Sequence, residues 1–238
     1  MSGHSHFAGI KQRKGVNDAK RANVFTKLGR FVTIAAREGG GNPEFNFKLK
    51  MAIEQARYAN MPKDNIDKAI KRGTGELKDG AEIQEVMYEA YGPGQVAMLI
   101  KAATDNKNRT LGEIKNVLAK GGGKMVAEGA VSFMFKQVGC IEIAIEDGEK
   151  DNLEILAIEA GADDISYEDG VFSVYTKIED LKEVKENIEK SGLNVESAGL
   201  IYVPTQKTSI SEKDKESYEK LLEALDDLDD VQEIFDNL

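Results

Sequence analysis

Residues 138–203 alternate between short β-patterned and helix-patterned runs in the order β-α-β-β-α-β, with strands at 138–145, 164–167, 171–176 and 195–203 and helices at 150–160 and 178–191. That order is the ferredoxin-like pattern, and it is complete in itself. The stretch before it is not. Residues 82–136 read as a hairpin, 86–91 and 96–102, turning at Gly92-Pro93-Gly94, where Pro followed by Gly suits a type II turn. A helix opened by a Thr110/Glu113 capping box then runs to Lys120 and Gly121-Gly122-Gly123, and a strand follows at 130–135. Such a sheet is one helix and one strand short of being covered. The C-terminal segment offers both, a helix near 212–225 bearing Leu221, Leu222 and Leu225 and a strand at 231–235. The ferredoxin-like unit is therefore predicted to be inserted into a sheet domain that the tail returns to complete.

Ahead of Gly75 the hydrophobic period is helical. Ala22, Phe25, Leu28, Val32 and Ala35 form one stripe over 17–38, and Asn23, Thr26, Lys27, Arg30 and Arg37 fall on the opposite face, which is expected to point outward. Gly39-Gly40-Gly41 ends this helix. Asn42-Pro43 introduces a second one marked by Phe45, Leu49, Ala52, Ile53 and Ala56, and Pro62 opens a third that stops at Gly73. The predicted fold class is α+β. A basic N-terminal α-helical domain with an arm (1–77) is followed by two α/β-sandwich, ferredoxin-like domains, one discontinuous (78–136 with 206–238) and the acidic third (137–205) inserted in it.

Charge sharpens this division. The 238 residues hold 32 Lys and Arg against 42 Asp and Glu, a net of −10 that taken alone argues against a nucleic-acid partner. Yet residues 1–75 carry 15 basic and 6 acidic side chains, a net of +9, while 137–205 carry −12 and 206–238 carry −7. Within the first 37 residues eight cations meet a single acid, Asp18. A density of that kind is the electrostatic footprint of a polyanion-binding element.

Other chemistries find little support. One cysteine, Cys140, rules out an intramolecular disulfide framework and reads as a small buried apolar residue. Two histidines without a Cys cluster leave no zinc set, and no cofactor is expected. A Ser2-Gly3-His4 terminus could hold square-planar Cu(II) or Ni(II) if the initiator Met is removed, a pattern common by chance. No nucleophile–base pair, P-loop or dinucleotide fingerprint is present, so no enzyme and no small-molecule substrate are expected. No apolar run approaches a membrane span, and no targeting segment precedes the chain, which together lead to an expectation of a cytoplasmic protein. Asp163-Asp164 and Asp226-Asp227 read as solvated turn and helix-end charges.

Two segments stand out as candidate binding sites. The first is the arm, where His4, His6, Phe7, Lys11, Arg13 and Lys14 combine groups that stack on bases with groups that neutralise phosphates. Lys20, Arg21, Lys27 and Arg30 continue that charge along the first helix. The second is Asp105-Asn106-Lys107-Asn108-Arg109-Thr110, at a helix start, where Lys107, Arg109 and unpaired N–H groups either hold a phosphate or simply form a good turn.

These residues carry a family likeness. The arm resembles the G-H-S-K-W-x-x-I-K-x-x-K start of the YebC/PmpR family, which includes a mitochondrial translational activator of cytochrome c oxidase subunit I. The likeness continues in Gly39–Pro43, in Asn60-Met61-Pro62-Lys63-Asp64-Asn65-Ile66, in Tyr88-Glu89-Ala90-Tyr91-Gly92-Pro93-Gly94, in Thr104–Thr110 and in Asp230-Val231-Gln232-Glu233. His6, Phe7 and Gln12 stand where the family commonly has Lys, Trp and His. The resemblance implies a three-domain cytoplasmic protein, a probable DNA-binding transcriptional regulator, with a role at the ribosome for some relatives. Three functions are consistent with the sequence: a duplex-DNA-binding regulator, a ribosomal-RNA-associated translation factor, and an adapter whose acidic domains dock a basic partner. The +9 segment separates the first two from the third, and no helix-turn-helix is evident to separate them from each other.

Overall fold

The computed structural model describes residues 18–77, 81–144, 150–168 and 170–238. It has seven α-helices among these residues: α1 (Asp18–Gly39), α2 (Phe47–Tyr58), α3 (Lys63–Gly73), α4 (Lys107–Lys120), α5 (Lys150–Ala160), α6 (Leu181–Lys190) and α7 (Glu212–Asp226). The strands are β1 (Gln84–Tyr91), β2 (Ala97–Thr104), β3 (Lys124–Met125), β4 (Phe135–Ala144), β5 (Asp164–Glu168), β6 (Val171–Thr176), β7 (Val195–Pro204) and β8 (Val231–Asp236). They form two four-stranded sheets, β3-β1-β2-β8 and β5-β6-β4-β7. The chain divides into two compact units, one running up to Lys136 and resuming at Val203–Leu238, the other Gln137–Tyr202.

In the first unit the apolar stripe of α1 packs Leu28, Val32 and Ala35 against Leu49, Ala52, Ile53 and Ala56 of α2 and Ile66 and Ala69 of α3. Burial of each large aliphatic side chain contributes about 1.5–3 kcal/mol. The turn from α1 to α2 is held by one buried side chain. Asn46 donates from Nδ2 to the carbonyls of Ala35 and Gly40 at 2.7 and 2.8 Å, and its Oδ1 accepts the N–H of Leu49 at 3.0 Å, capping α2. Four residues, Ala59 to Pro62, connect α2 to α3, with Asn60 in the left-handed region at φ 59°.

β1 and β2 pair antiparallel from Gln84↔Thr104 to Tyr91↔Ala97. Gly94, at φ 70° and ψ 12°, supplies the third position of the predicted type II turn. On one face Met98 and Ile100 pack with Ile114 and Leu118 of α4, with Tyr218, Leu221 and Leu225 of α7, and with Ile234 of β8. The tail thus supplies both a strand and a helix to this sheet. On the alternate face of β2 the Lys101 ammonium lies 5.7 Å from the ring centroid of Phe31 in α1 and pairs with Glu233 of β8 at 3.0 Å.

Two local expectations are corrected. The strand expected at 130–135 is a loop ending in a 3-10 turn (Ser132–Met134), and the two-residue β3 takes the edge instead. Glu89 causes this: its carboxylate, buried in β1, accepts the N–H groups of Gly129, Val131 and Ser132 at 2.7, 2.6 and 3.1 Å and fixes the loop away from strand geometry. Burial favours the neutral acid, but these backbone donors outweigh it and hold the carboxyl below its ordinary range. The second correction concerns α4. Its cap is Asn106, whose side chain accepts the N–H of Arg109 at 3.1 Å, and Thr110 lies inside the helix.

The second unit runs β4-α5-β5-β6-α6-β7, with β6 pairing β4 and β5 antiparallel. Leu153 and Ala157 of α5 and Leu181, Val184 and Ile188 of α6 are buried, as are Ile141, Phe172 and Val174 of the sheet. Cys140 is buried there, and burial pushes its thiol up from the ordinary value, so it is a packing residue without thiolate character.

Candidate nucleic-acid interface

Helix α1 offers Asn23, Lys27 and Arg30 at spacings of four and three, one row along its surface. The row expected to face outward lies instead against the acidic turn between α7 and β8. Asn23 Nδ2 donates to the Asp227 carbonyl at 3.0 Å, and Lys27 Nζ donates to the Asp226 carboxylate at 3.0 Å and to its carbonyl. Arg30 Nη1 reaches the Asp230 carboxylate and the carbonyls of Ala103 and Asp229, the latter two at 3.0 and 2.7 Å. Arg37, on the same side one helical segment later, pairs with Glu82 at 2.9 Å. The reading of Asp226 as a solvated helix-end charge is thereby corrected, because both Asp226 and Asp230 are buried and their charge is matched by α1.

Asp230 is the centre of this arrangement. Arg109 Nη2 donates to its two oxygens at 2.8 and 3.1 Å, and the hydroxyls of Thr104 and Thr110 donate to Oδ2 at 3.0 and 2.5 Å. Burial alone would raise its pKa. The Thr110 hydrogen bond and the two guanidiniums outweigh that and lower it to about 2. The Thr104–Thr110 segment is therefore built around a carboxylate supplied from the tail.

The ten candidate residues divide accordingly. His4, Lys11, Arg13 and Lys14 lie outside the described residues, and so do the side chains of Lys20 and Arg21 in the first turn of α1. Lys27, Arg30 and Arg109 are brought together around the Asp226–Asp230 turn. Lys107 is exposed in the first turn of α4 and has no carboxylate partner among the described residues. The remaining exposed cations of the helical segment include Lys50, Arg57, Lys63, Lys68 and Lys71. Of these, Lys63, Lys68 and Lys71 are on α3, which also carries Arg72 beside Asp64 and Asp67 and which the sequence marks only as a short helix.

A cleft of about 450 Å³ opens beside α3. Phe25, Thr26, Gly29 and Arg30 of α1 form one wall, Met61, Asn65, Lys68, Ala69 and Arg72 the other, and Ala81, Ile83 and Asp105 the rim. Among the described residues no group of three His, Cys, Asp or Glu could hold a metal ion, and no helix is long and apolar enough to cross a membrane.

Residues 5–76 match the TACO1/YebC protein N-terminal domain, and residues 83–238 match the TACO1/YebC second and third domain. The chain belongs to the TACO1/YebC family. A probable transcriptional regulatory protein of Pseudothermotoga lettingae is 49% identical over 238 residues, covering 100% of this chain and 93% of that one. Another, from Caldanaerobacter subterraneus, is 46% identical over 239 residues, covering 100% and 98%. The crystal structure of a conserved hypothetical protein from Aquifex aeolicus superposes with a TM-score of 0.90 at 46% identity, over 98% of this chain and 96% of that one. This TACO1/YebC member is thus a mixed α and β protein with two antiparallel sheets, and its relatives bear the names of regulators.

Proposed function

We propose that this chain is a nucleic-acid-binding regulator that holds double-stranded DNA through its N-terminal basic segment. The observation that carries the reading is the division of its cations. Lys27, Arg30 and Arg109 are matched by carboxylates of the tail, whereas Lys50, Arg57, Lys63, Lys68 and Lys71 have no carboxylate partner among the described residues. To these the arm adds Lys11, Arg13 and Lys14 within a segment of net +9. Phosphate contact falls to this second set, because a guanidinium already neutralised by a buried aspartate gains little from a phosphate and would leave the aspartate unpaired.

The four-residue connection between α2 and α3 has the length found in helix-turn-helix units, which supports α3 as the element nearest the duplex. The names of the relatives support regulation of transcription. The acidic remainder of the chain, net −19 beyond Gly75, would repel polyanions and restrict binding to the basic segment. The reading is of a binding protein, not of an enzyme. Structured RNA, ribosomal RNA included, presents the same phosphates, and the second reading is a translation factor on that partner.

In-cell crosslinking with sequencing of both DNA and RNA recovered with the protein tests the proposal. Promoter DNA supports it, ribosomal RNA selects the second reading, and recovery of neither contradicts both.

A further inference from the structure

We propose that the cleft between α1 and α3 seats a single nucleotide unit, its phosphate against Lys68 and Arg72 and its base against Phe25 and Met61. Lys68 and Arg72 are four apart on α3, so they project from one face, and both line the cleft. Arg30 lines the cleft as well, but its charge is matched by Asp230, so the phosphate falls to Lys68 and Arg72. The one carboxylate in the lining, Asp105, is paired at 2.8 Å with Arg109, which lies outside the lining.

The remaining lining suits a base rather than a bare anion. Phe25 and Met61 give an apolar surface on which an aromatic ring can lie, and Asn65 carries both a donor and an acceptor for a base edge. The cavity, about 450 Å³, falls in the size range of small-ligand sites. Gly29 keeps it open. A Cβ at that position would find its nearest neighbour, Met61 Cε, at 3.6 Å, an ordinary contact, so the space over α1 there is created by the missing side chain.

A nucleotide unit has two sources, a free nucleoside monophosphate or an unstacked residue of a nucleic-acid strand, and both present the same phosphate and base. For a strand the proposal rests on the nucleic-acid reading above; for the free ligand it stands apart from it.

Isothermal titration of the full chain with nucleoside monophosphates, the corresponding nucleosides, a short single-stranded oligonucleotide and a DNA duplex tests the site. Three variants are compared with the parent: Gly29→Leu, which fills the cleft and keeps every cation, Lys68→Ala with Arg72→Ala, and Lys11→Ala with Arg13→Ala and Lys14→Ala. Thermal unfolding confirms that each is folded. The expected result is saturable binding weakened about tenfold or more by Gly29→Leu and by the α3 pair, and weakened as much by removal of the phosphate from the ligand. The arm variant is expected to leave monophosphate binding unchanged while weakening a duplex. Binding of monophosphates identifies the free source, and binding of the oligonucleotide alone, still sensitive to Gly29→Leu, identifies the strand. Affinity for both ligands unchanged by Gly29→Leu, or no saturable binding of either, overturns the proposal. Duplex binding that fails while monophosphate binding survives removes the nucleic-acid reading and leaves the cleft intact.

Discussion

Arg30 and Asp230, 200 positions apart, meet at 2.5 Å between Nη1 and Oδ1. The contact joins a helix of the basic N-terminal segment to the acidic tail. Charge segregation that on the sequence reads as the footprint of a polyanion partner is partly matched within the molecule, by placing Asp226 and Asp230 under Lys27, Arg30 and Arg109.

Replacing Asp230 by Asn removes the common counter-charge of two guanidiniums and disturbs two threonine hydrogen bonds. Breaking a buried pair in this way costs about 3–5 kcal/mol, and the half-exposed Arg109 places the expectation at the lower end, about 3 kcal/mol. Urea unfolding should show a lower midpoint at an unchanged slope. A midpoint equal to the parent's would mean that the tail does not hold α1.

Asp230 also sets an acid limit. Its folded-state pKa, about 2, lies below the ordinary carboxyl value of about 3.9 expected when unfolded, so the unfolded chain binds the proton first. Its stabilisation is present above the unfolded value and is lost as the pH falls from about 4 through 2. Glu89, also lowered, adds loss of the same sign. Thermal unfolding of the parent should fall over that interval more steeply than that of Asp230→Asn, and parallel curves would refute the assignment.

Asn46→Ala removes the cap of α2 and the amide donor to the carbonyls of Ala35 and Gly40. The cap alone is worth about 1 kcal/mol, and each lost amide hydrogen bond adds about 0.5–1.5 kcal/mol. Circular dichroism during denaturant unfolding measures the loss. An effect below about 0.5 kcal/mol would place the rigidity of this turn in the glycines.

Much of the fold is legible because it is local. The stripe through Phe25, Leu28 and Val32, the Pro93-Gly94 turn and the strand-helix order of 138–203 are periodic or conformational signals carried by adjacent residues. What stayed hidden depends on contacts over long sequence separations. Thr110 is placed to cap a helix, but its hydroxyl has a partner 120 residues away, and the cap passes to Asn106. Residues 130–135 alternate like a strand, yet Glu89, some 40 residues earlier, claims their N–H groups. The same limit applies to the candidate interface: a helical wheel separates the polar face of α1 from its apolar one and cannot show that an acidic turn covers it. Lys68 and Arg72 are hidden for the converse reason, since Asp64 and Asp67 stand among the cations of α3 and only its packing beside α1 gathers Lys68 and Arg72 at one cleft.

The division of the cations predicts how binding depends on salt. Each duplex phosphate contact contributes a slope of about −0.9 in log affinity against log salt concentration, so removing three contacts makes the slope shallower by about 2.7. Measured with a DNA duplex, Lys11→Ala with Arg13→Ala and Lys14→Ala should show that change, while Lys27→Ala, which loses a bond to Asp226, should keep the parent slope and lose stability. A slope unmoved by the arm substitutions, or one reduced by Lys27→Ala, would contradict the account.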